Sequence, residues 1–141
     1  TCKFAGVNFF TYICNVSIKN YENKIMNLSG NTTIYFSEFP EWDSIPERGE
    51  NIYSDSRVFE FELEQGMFLF NVKARVHIDY KRYYSPSTFE YPEEDDILNY
   101  RFKVETLKGT RVHKETDLSM PLNALELSQI ETYLQNNLNI N

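Results

Sequence analysis

The feature that most constrains the fold is a strict alternation of apolar and polar residues from Phe68 to Tyr80. Every second position is apolar (Phe68, Phe70, Val72, Ala74, Val76, Ile78 and Tyr80). The positions between them are polar from Asn71 onwards. Successive side chains of a strand point to opposite faces of a sheet, so this period of two predicts a strand with one face on a core and the other in solvent.

A second alternating segment, Arg57 to Leu63, is separated from the first by Glu64-Gln65-Gly66-Met67. A two-residue loop with Gly in its second position favours a type I′ hairpin turn. Centring the turn on Gln65 and Gly66 predicts the cross-strand pairs Phe61 with Phe70, Phe59 with Val72 and Leu63 with Phe68. All three pairs are apolar, whereas a slip of one residue would turn one apolar set to solvent.

The chain beyond Tyr80 predicts a loop, a strand and a turn. Lys81 to Asp96 contains two prolines and a run of carboxylates, which indicates a surface loop. From Leu98 to Glu105 apolar and polar residues alternate again, which predicts a third strand. Lys108-Gly109 predicts a turn, and Arg111 to Lys114 a short edge strand.

The N-terminal third is less regular. Phe4 to Ile18 is compatible with one strand, and Thr32 to Ser37 is rich in β formers and predicts a short strand. The segment from Phe39 to Glu50 contains two prolines and a glycine, so a loop or a single helical turn is expected there.

The C-terminal segment predicts a helix that begins after Asn123. Asn123 is a candidate N-cap, and Glu126, three residues later, can complete a capping box. An apolar stripe follows at helical spacing, formed by Leu127, Ile130, Leu134 and Leu138. The tail from Asn136 to Asn141 is expected to fray.

These elements together predict an α+β fold. We expect an antiparallel β-sheet of four to six strands with the C-terminal amphipathic helix packed on one face. The length of 141 residues favours a single domain over residues 1–141, with residues 1–25 as a peripheral N-terminal extension.

Composition limits the partners of this domain. The formal net charge of −7 disfavours direct binding to nucleic acid or to anionic lipid, because both carry negative charge. No apolar run reaches the ~18 residues of a membrane span, so a soluble protein is expected, with the host cytoplasm favoured and an extracytoplasmic location open. Cys2 and Cys14 are compatible with one disulfide or with two reduced thiols.

Three groups of polar residues are candidate sites. On the polar strand face, Lys73, Arg75, Arg101 and Lys103 alternate with acidic residues, which favours a solvated face with cross-strand ion pairs over a polyanion-binding stripe. His77 and Asp79 share that face, but no nucleophile is placed beside them. The acidic run from Glu90 to Asp96 lacks the glycine and the oxygen spacing of a calcium loop. We therefore expect no catalytic residue, no metal and no cofactor.

Aromatic residues in and beside the loops are the best candidates for a binding surface. Tyr and Trp in loops offer a large contact area at low entropic cost, as is typical of interface anchors. The candidate partner-binding residues are Trp42, Tyr80, Tyr83, Tyr84, Phe89 and Tyr91. The alternative is that these side chains only cap the ends of the sheet.

The stretch from Val72 to Leu138 has a distinctive order of elements. A strand (Val72 to Tyr80) precedes a loop rich in Tyr, Pro and acidic residues (Ser85 to Asp96), a strand (Tyr100 to Glu105) and a Leu-rich helix. This order resembles small uncharacterised accessory proteins of bacteriophages and mobile elements, over about half of the chain. The resemblance implies a phage or mobile-element origin and assigns no chemistry and no site residue.

Three functional hypotheses follow from the sequence. The first is a non-enzymatic protein-binding or assembly module that binds a protein partner or a second copy of itself. The second is an acidic inhibitor that mimics nucleic acid and occupies a basic groove of a host protein. The third is an enzyme with a site near His77 and Asp79.

Overall fold

Three long antiparallel strands form the framework of the protein in the computed structural model, which describes residues 27–141. The strands are β1 (Ser29–Gly30), β2 (Thr33–Ile34), β3 (Gly49–Gln65), β4 (Phe68–Ser85), β5 (Glu94–His113), β6 (Ser119–Pro121) and β7 (Asn139–Ile140). Two short 3₁₀ helices (Phe36–Glu38 and Pro40–Asp43) and the helix α1 (Ala124–Asn137) complete the described elements.

The strand order confirms the predicted α+β fold. A five-stranded sheet has the order β1-β3-β4-β5-β6, and every neighbouring pair in it is antiparallel. A second, two-stranded sheet pairs β2 with β7 in parallel. The predicted strand from Phe4 to Ile18, both cysteines and the N-terminal extension lie outside the described residues.

Burial on β4 confirms the alternation read from the sequence. Six inward side chains, Phe70, Val72, Ala74, Val76, Ile78 and Tyr80, are at most 2% exposed. Side chains of β3, β5 and α1 join them in one hydrophobic core. The strand continues beyond Tyr80 to Ser85, because Arg82 takes the next inward position and is itself buried.

The β3–β4 hairpin forms with a register two residues away from the predicted one. Phe61 lies opposite Val72 and Leu63 opposite Phe70, so the turn residues are Gly66 and Met67. Gly66 has a φ of 56° and Met67 has no positive φ, which matches a type II′ turn rather than type I′. A slip of two residues keeps every side chain on its own face, so the apolar pattern alone cannot distinguish the two registers.

The strand β3 begins eight residues before the predicted start at Arg57. Its first half carries polar residues on both faces, so it has no alternation to reveal it. Pairing with β4 from Gly49 to Tyr53 decides its extent instead. The predicted strand from Thr32 to Ser37 is shorter than expected, because a 3₁₀ helix begins at Phe36.

The strand β5 contains two bulges where the sequence predicted a strand start and a turn. The register with β4 skips Leu98 and Leu107, so the predicted inward position of Leu98 is wrong and Ile97 faces Arg82. The predicted turn at Lys108-Gly109 is also wrong, because β5 continues to His113. A Cβ at position 109 would lie 2.8 Å from Leu122 Cδ1 and 2.9 Å from the carbonyl oxygen of Asn71, which requires glycine.

The predicted edge strand lies further along the chain. Residues 111–113 are the end of β5, and the chain reverses between His113 and Ser119, where Asp117 has a φ of 57°. The edge strand is β6, which pairs with residues Thr110 to Val112 of β5.

The helix α1 begins as predicted. Asn123 Oδ1 accepts a hydrogen bond from Glu126 N at 2.8 Å, and Glu126 Oε1 accepts one from Asn123 N at 3.4 Å. Ile130 and Leu134 are fully buried in the core. Among the described residues, no helix is both long enough and apolar enough to cross a membrane.

The C-terminal tail does not fray, contrary to the prediction. Ile140 is buried and pairs in β7 with Ile34 of β2. The carbonyl oxygen of Asn141 accepts a hydrogen bond from Phe36 N at 2.9 Å. A strand more than a hundred residues earlier therefore holds the tail in place, and no local pattern shows this.

Side chains of α1 form hydrogen bonds with the backbone groups at the edge of β5 that lies beside the helix. Gln135 accepts from Val104 N at 2.8 Å and donates to the carbonyl oxygen of Phe102 at 3.0 Å. Glu131 accepts from Thr106 N at 2.9 Å. An open strand edge is a template for aggregation, and the helix removes part of that template here.

Candidate partner-binding surface

The structure separates the six predicted binding residues into an exposed and an internal group. Phe89 is fully exposed, at 106% of the reference area, and Tyr91 is 69% exposed. Tyr83 and Tyr84 are half-buried at the adjoining end of β4, and Trp42 is half-buried in the second 3₁₀ helix. Tyr80 is 2% exposed, so its assignment to a binding surface is wrong.

Phe89 stands at the apex of a closed turn between β4 and β5. Thr88 N donates to the carbonyl oxygen of Tyr91 at 2.8 Å, and Tyr91 N donates to Thr88 Oγ1 at 3.1 Å. Pro86 and Pro92 flank this turn and restrict the backbone on both sides. The loop thus presents one aromatic ring to solvent from an internally hydrogen-bonded support. We call Phe89, Tyr91, Tyr83 and Tyr84 the tip surface.

A buried ion pair joins the two strands below the tip surface. Arg82 donates from Nε to Asp95 Oδ1 at 2.8 Å and from Nη2 to Asp95 Oδ2 at 2.7 Å. Its Nη1 donates to the carbonyl oxygen of Trp42 at 3.2 Å, and its guanidinium lies 3.8 Å from the centroid of the indole ring. The hydrogen bonds to Asp95 raise the pKa of Arg82. Arg82 therefore ties β5 and the second 3₁₀ helix to β4.

An aromatic cluster packs beside this ion pair. The Tyr80 ring lies 5.0 Å from Tyr53, 5.4 Å from Phe36 and 6.4 Å from Trp42 between centroids. Burial is the main cause that raises the pKa of Tyr80 to about 12, and the nearby carboxylate of Asp55 adds to it. The Tyr80 hydroxyl is buried and has no hydrogen-bond partner in the described part of the chain. Trp42 and Tyr80 therefore support the tip surface from inside.

The polar face of the sheet is open and carries cross-strand ion pairs. Lys73 Nζ lies 3.4 Å from Glu60 Oε1, and Arg101 Nε lies 3.1 Å from Asp79 Oδ2. Such exposed pairs contribute little to stability, because water and salt screen them. Lys73, Arg75, Arg101 and Lys103 share this face with the acidic residues, as the alternation predicts.

His77 and Asp79, the residues of the third hypothesis, each contact a different side chain. His77 Nε2 lies 3.4 Å from Glu105 Oε2 on the neighbouring strand. Asp79 instead accepts hydrogen bonds from the Ser54 hydroxyl and from Arg101, and these lower its pKa, the Ser54 bond first. The concavity between these residues, about 370 Å³, is shallow and open. No proton relay joins His77 to Asp79.

The last three residues of the acidic run lie on an extended backbone. Glu94, Asp95 and Asp96 belong to β5, where neighbouring side chains point to opposite faces. Within residues 27–141, no three His, Cys, Asp or Glu side chains come together as metal ligands.

Sequence reasoning did not assign a role to Arg82 or Asp95. Arg82 continues the inward phase of the β4 alternation, and a charged residue in that phase is a signal of a buried ion pair. No sequence signal identifies Asp95 among its acidic neighbours, because only the pairing of β4 with β5 brings it to Arg82.

Comparisons with family models, with curated proteins and with solved structures find no match to this chain.

Proposed function

We propose that this protein is a non-enzymatic binding module that holds a protein partner through its tip surface. Phe89 carries the proposal, because this phenylalanine is fully exposed at the apex of a hydrogen-bonded turn and is not part of the core formed by residues 27–141. Removing one such ring from water gives about 1.5–3 kcal/mol. Few residues of a typical interface contribute more than this to the free energy of binding, and aromatic residues are enriched among these few.

The support beneath the loop favours binding with little reorganisation. Arg82, Asp95 and Trp42 fix both strands at the base of the loop, and the Thr88–Tyr91 hydrogen bonds close its apex. A side chain that is already ordered loses less entropy when it is immobilised in a complex. Tyr91 in the loop, and the half-buried Tyr83 and Tyr84 on opposite faces of the adjoining end of β4, add amphipathic contact area at this end of the sheet.

The test is affinity capture from lysate of the source cells with the wild type and two variants. Phe89→Ser removes the ring, and Leu118→Ser is the matched control, because Leu118 is 69% exposed near the opposite end of the strands. The 18 residues of β4 separate the two ends by about 58 Å. We expect a set of proteins that the wild type and Leu118→Ser retain and that Phe89→Ser loses.

Urea titration checks that both variants keep the fold, since neither side chain is buried. Sedimentation velocity of each variant alone shows whether the partner is a second copy of the chain. Equal capture and equal self-association by Phe89→Ser and the wild type would refute the proposal.

A further inference from the structure

Negative charge is concentrated around the tip surface. Residues 47–51 and 81–99 form the end of the sheet that carries the loop. These two segments hold seven acidic and three basic residues, a net charge of −4, whereas all of residues 27–141 together carry a net charge of −9. This end of the sheet therefore holds nearly half of the net charge of residues 27–141 in about a fifth of their length, and it carries the fully exposed Phe89.

Only part of this charge is neutralised within the protein. Asp95 is paired with Arg82, and Glu50 lies 3.6 Å from Lys81 Nζ. In residues 27–141, no basic nitrogen within 4.0 Å pairs with the remaining carboxylates of the run, Glu90, Glu93, Glu94 and Asp96. Glu90 directly follows Phe89 within the closed turn.

We infer that the partner of the tip surface is a protein surface with an apolar pocket for Phe89 and a rim of Lys or Arg side chains. This inference rests on the proposed function and names the chemistry of the partner. An exposed apolar ring in a segment rich in carboxylates favours a partner with an apolar pocket and basic side chains beside it, because like charges at an interface are strongly unfavourable. Phosphate backbones and anionic membranes are repelled by the same carboxylates.

Two synthetic amphipathic helices of 18 residues serve as probes. The first has a Leu face bordered by Lys, and the second has the same Leu face bordered by Glu. Both carry a fluorophore, and their binding to the full chain is measured by anisotropy at 50 and 200 mM NaCl.

Two charge variants are matched in net charge. The tip variant combines Glu90→Gln, Glu93→Gln, Glu94→Gln and Asp96→Asn. The control variant combines Glu60→Gln, Glu62→Gln, Glu64→Gln and Glu115→Gln, which lie away from the loop. Phe89→Ser is the third variant.

We expect the Lys-bordered helix to bind the wild type at least tenfold more tightly than the Glu-bordered helix does. The tip variant should lose about tenfold in affinity at 50 mM NaCl and most of its salt dependence, since four exposed charge contacts are removed. The control variant should stay within about twofold of the wild type, and Phe89→Ser should lose at least fivefold.

Equal losses in the tip and control variants would overturn the inference, because net charge rather than the tip would then drive binding. If Phe89→Ser weakens both helices equally and the tip variant weakens neither, the inference fails and the proposed function stands. If Phe89→Ser changes neither affinity while the tip variant does, the ring is not an anchor and both proposals fail.

Discussion

Breaking the Arg82–Asp95 pair should cost far more stability than breaking an ion pair on the open face of the sheet. The exposed fractions of the two side chains are 6% for Arg82 and 28% for Asp95. Asp95→Asn leaves a buried guanidinium with a neutral partner. Removing one partner of a fully buried ion pair lowers the free energy of unfolding by about 3–5 kcal/mol. Because Asp95 is partly exposed, we expect a smaller loss of about 2–3 kcal/mol here.

Arg82→Met keeps most of the volume stacked on Trp42 and removes the charge. Arg82→Met should lower the free energy of unfolding by about 1–3 kcal/mol, because Asp95 can still be hydrated in part. The double variant should cost less than the sum of the single variants, with a coupling energy of about 2 kcal/mol.

The assay is urea unfolding followed by the fluorescence of Trp42, which is the only tryptophan of the chain and lies 3.8 Å from the guanidinium. The control cycle uses Lys73→Met and Glu60→Gln, whose wild-type side chains are 45% and 75% exposed. It should give a coupling below about 0.5 kcal/mol. A coupling for Arg82 and Asp95 as small as that of the control would refute the structural role given to this pair.

Three further predictions concern the core and the sheet. Tyr80→Phe should leave the unfolding free energy unchanged or raise it by up to about 1 kcal/mol, because it removes a buried hydroxyl without a partner. The fold raises the pKa of Tyr80 to about 12 from about 10 in the unfolded chain. The unfolded state therefore releases this proton first, and the wild type should lose more stability than Tyr80→Phe as the pH rises from 10 to 12; parallel urea midpoints in this range would contradict the assignment. Gly109→Ala should cost about 1–3 kcal/mol, because the new methyl group meets Leu122 and a backbone oxygen below 3.0 Å, whereas Ser87→Ala in the exposed loop should stay within about 0.5 kcal/mol. Gln135→Leu should cost about 1–3 kcal/mol and increase light scattering on warming, because it uncovers backbone groups of β5; an effect no larger than that of the exposed Asn136→Leu would contradict this role.

The candidate site could be predicted only in part. The composition of the loops identified Phe89 and Tyr91, because aromatic residues between prolines and carboxylates stand out in a sequence. Trp42 and Tyr80 are aromatic residues of the same predicted set, but whether their side chains are exposed depends on which elements pack over them. Phe36 and Trp42 come from a segment about forty residues before Tyr80, so no local pattern could show that they bury its ring.

The sequence by itself determined which side of β4 and of the second half of β3 faces the core, and where the terminal helix begins. Both are local properties, since side-chain direction repeats every two residues in a strand and a capping box spans four residues. Burial of the inward side chains of β4 and the Asn123–Glu126 hydrogen bonds agree with that reading.

Only the tertiary structure decided the hairpin register, the bulges at Leu98 and Leu107, the pairing of Asp95 with Arg82 and the docking of the C-terminal tail on β2. Each depends on contacts between residues far apart in the chain. A shift of two residues leaves the alternation unchanged, and a bulge reverses its phase at a point that the sequence does not mark, so packing and hydrogen bonding across the assembled sheet decide both.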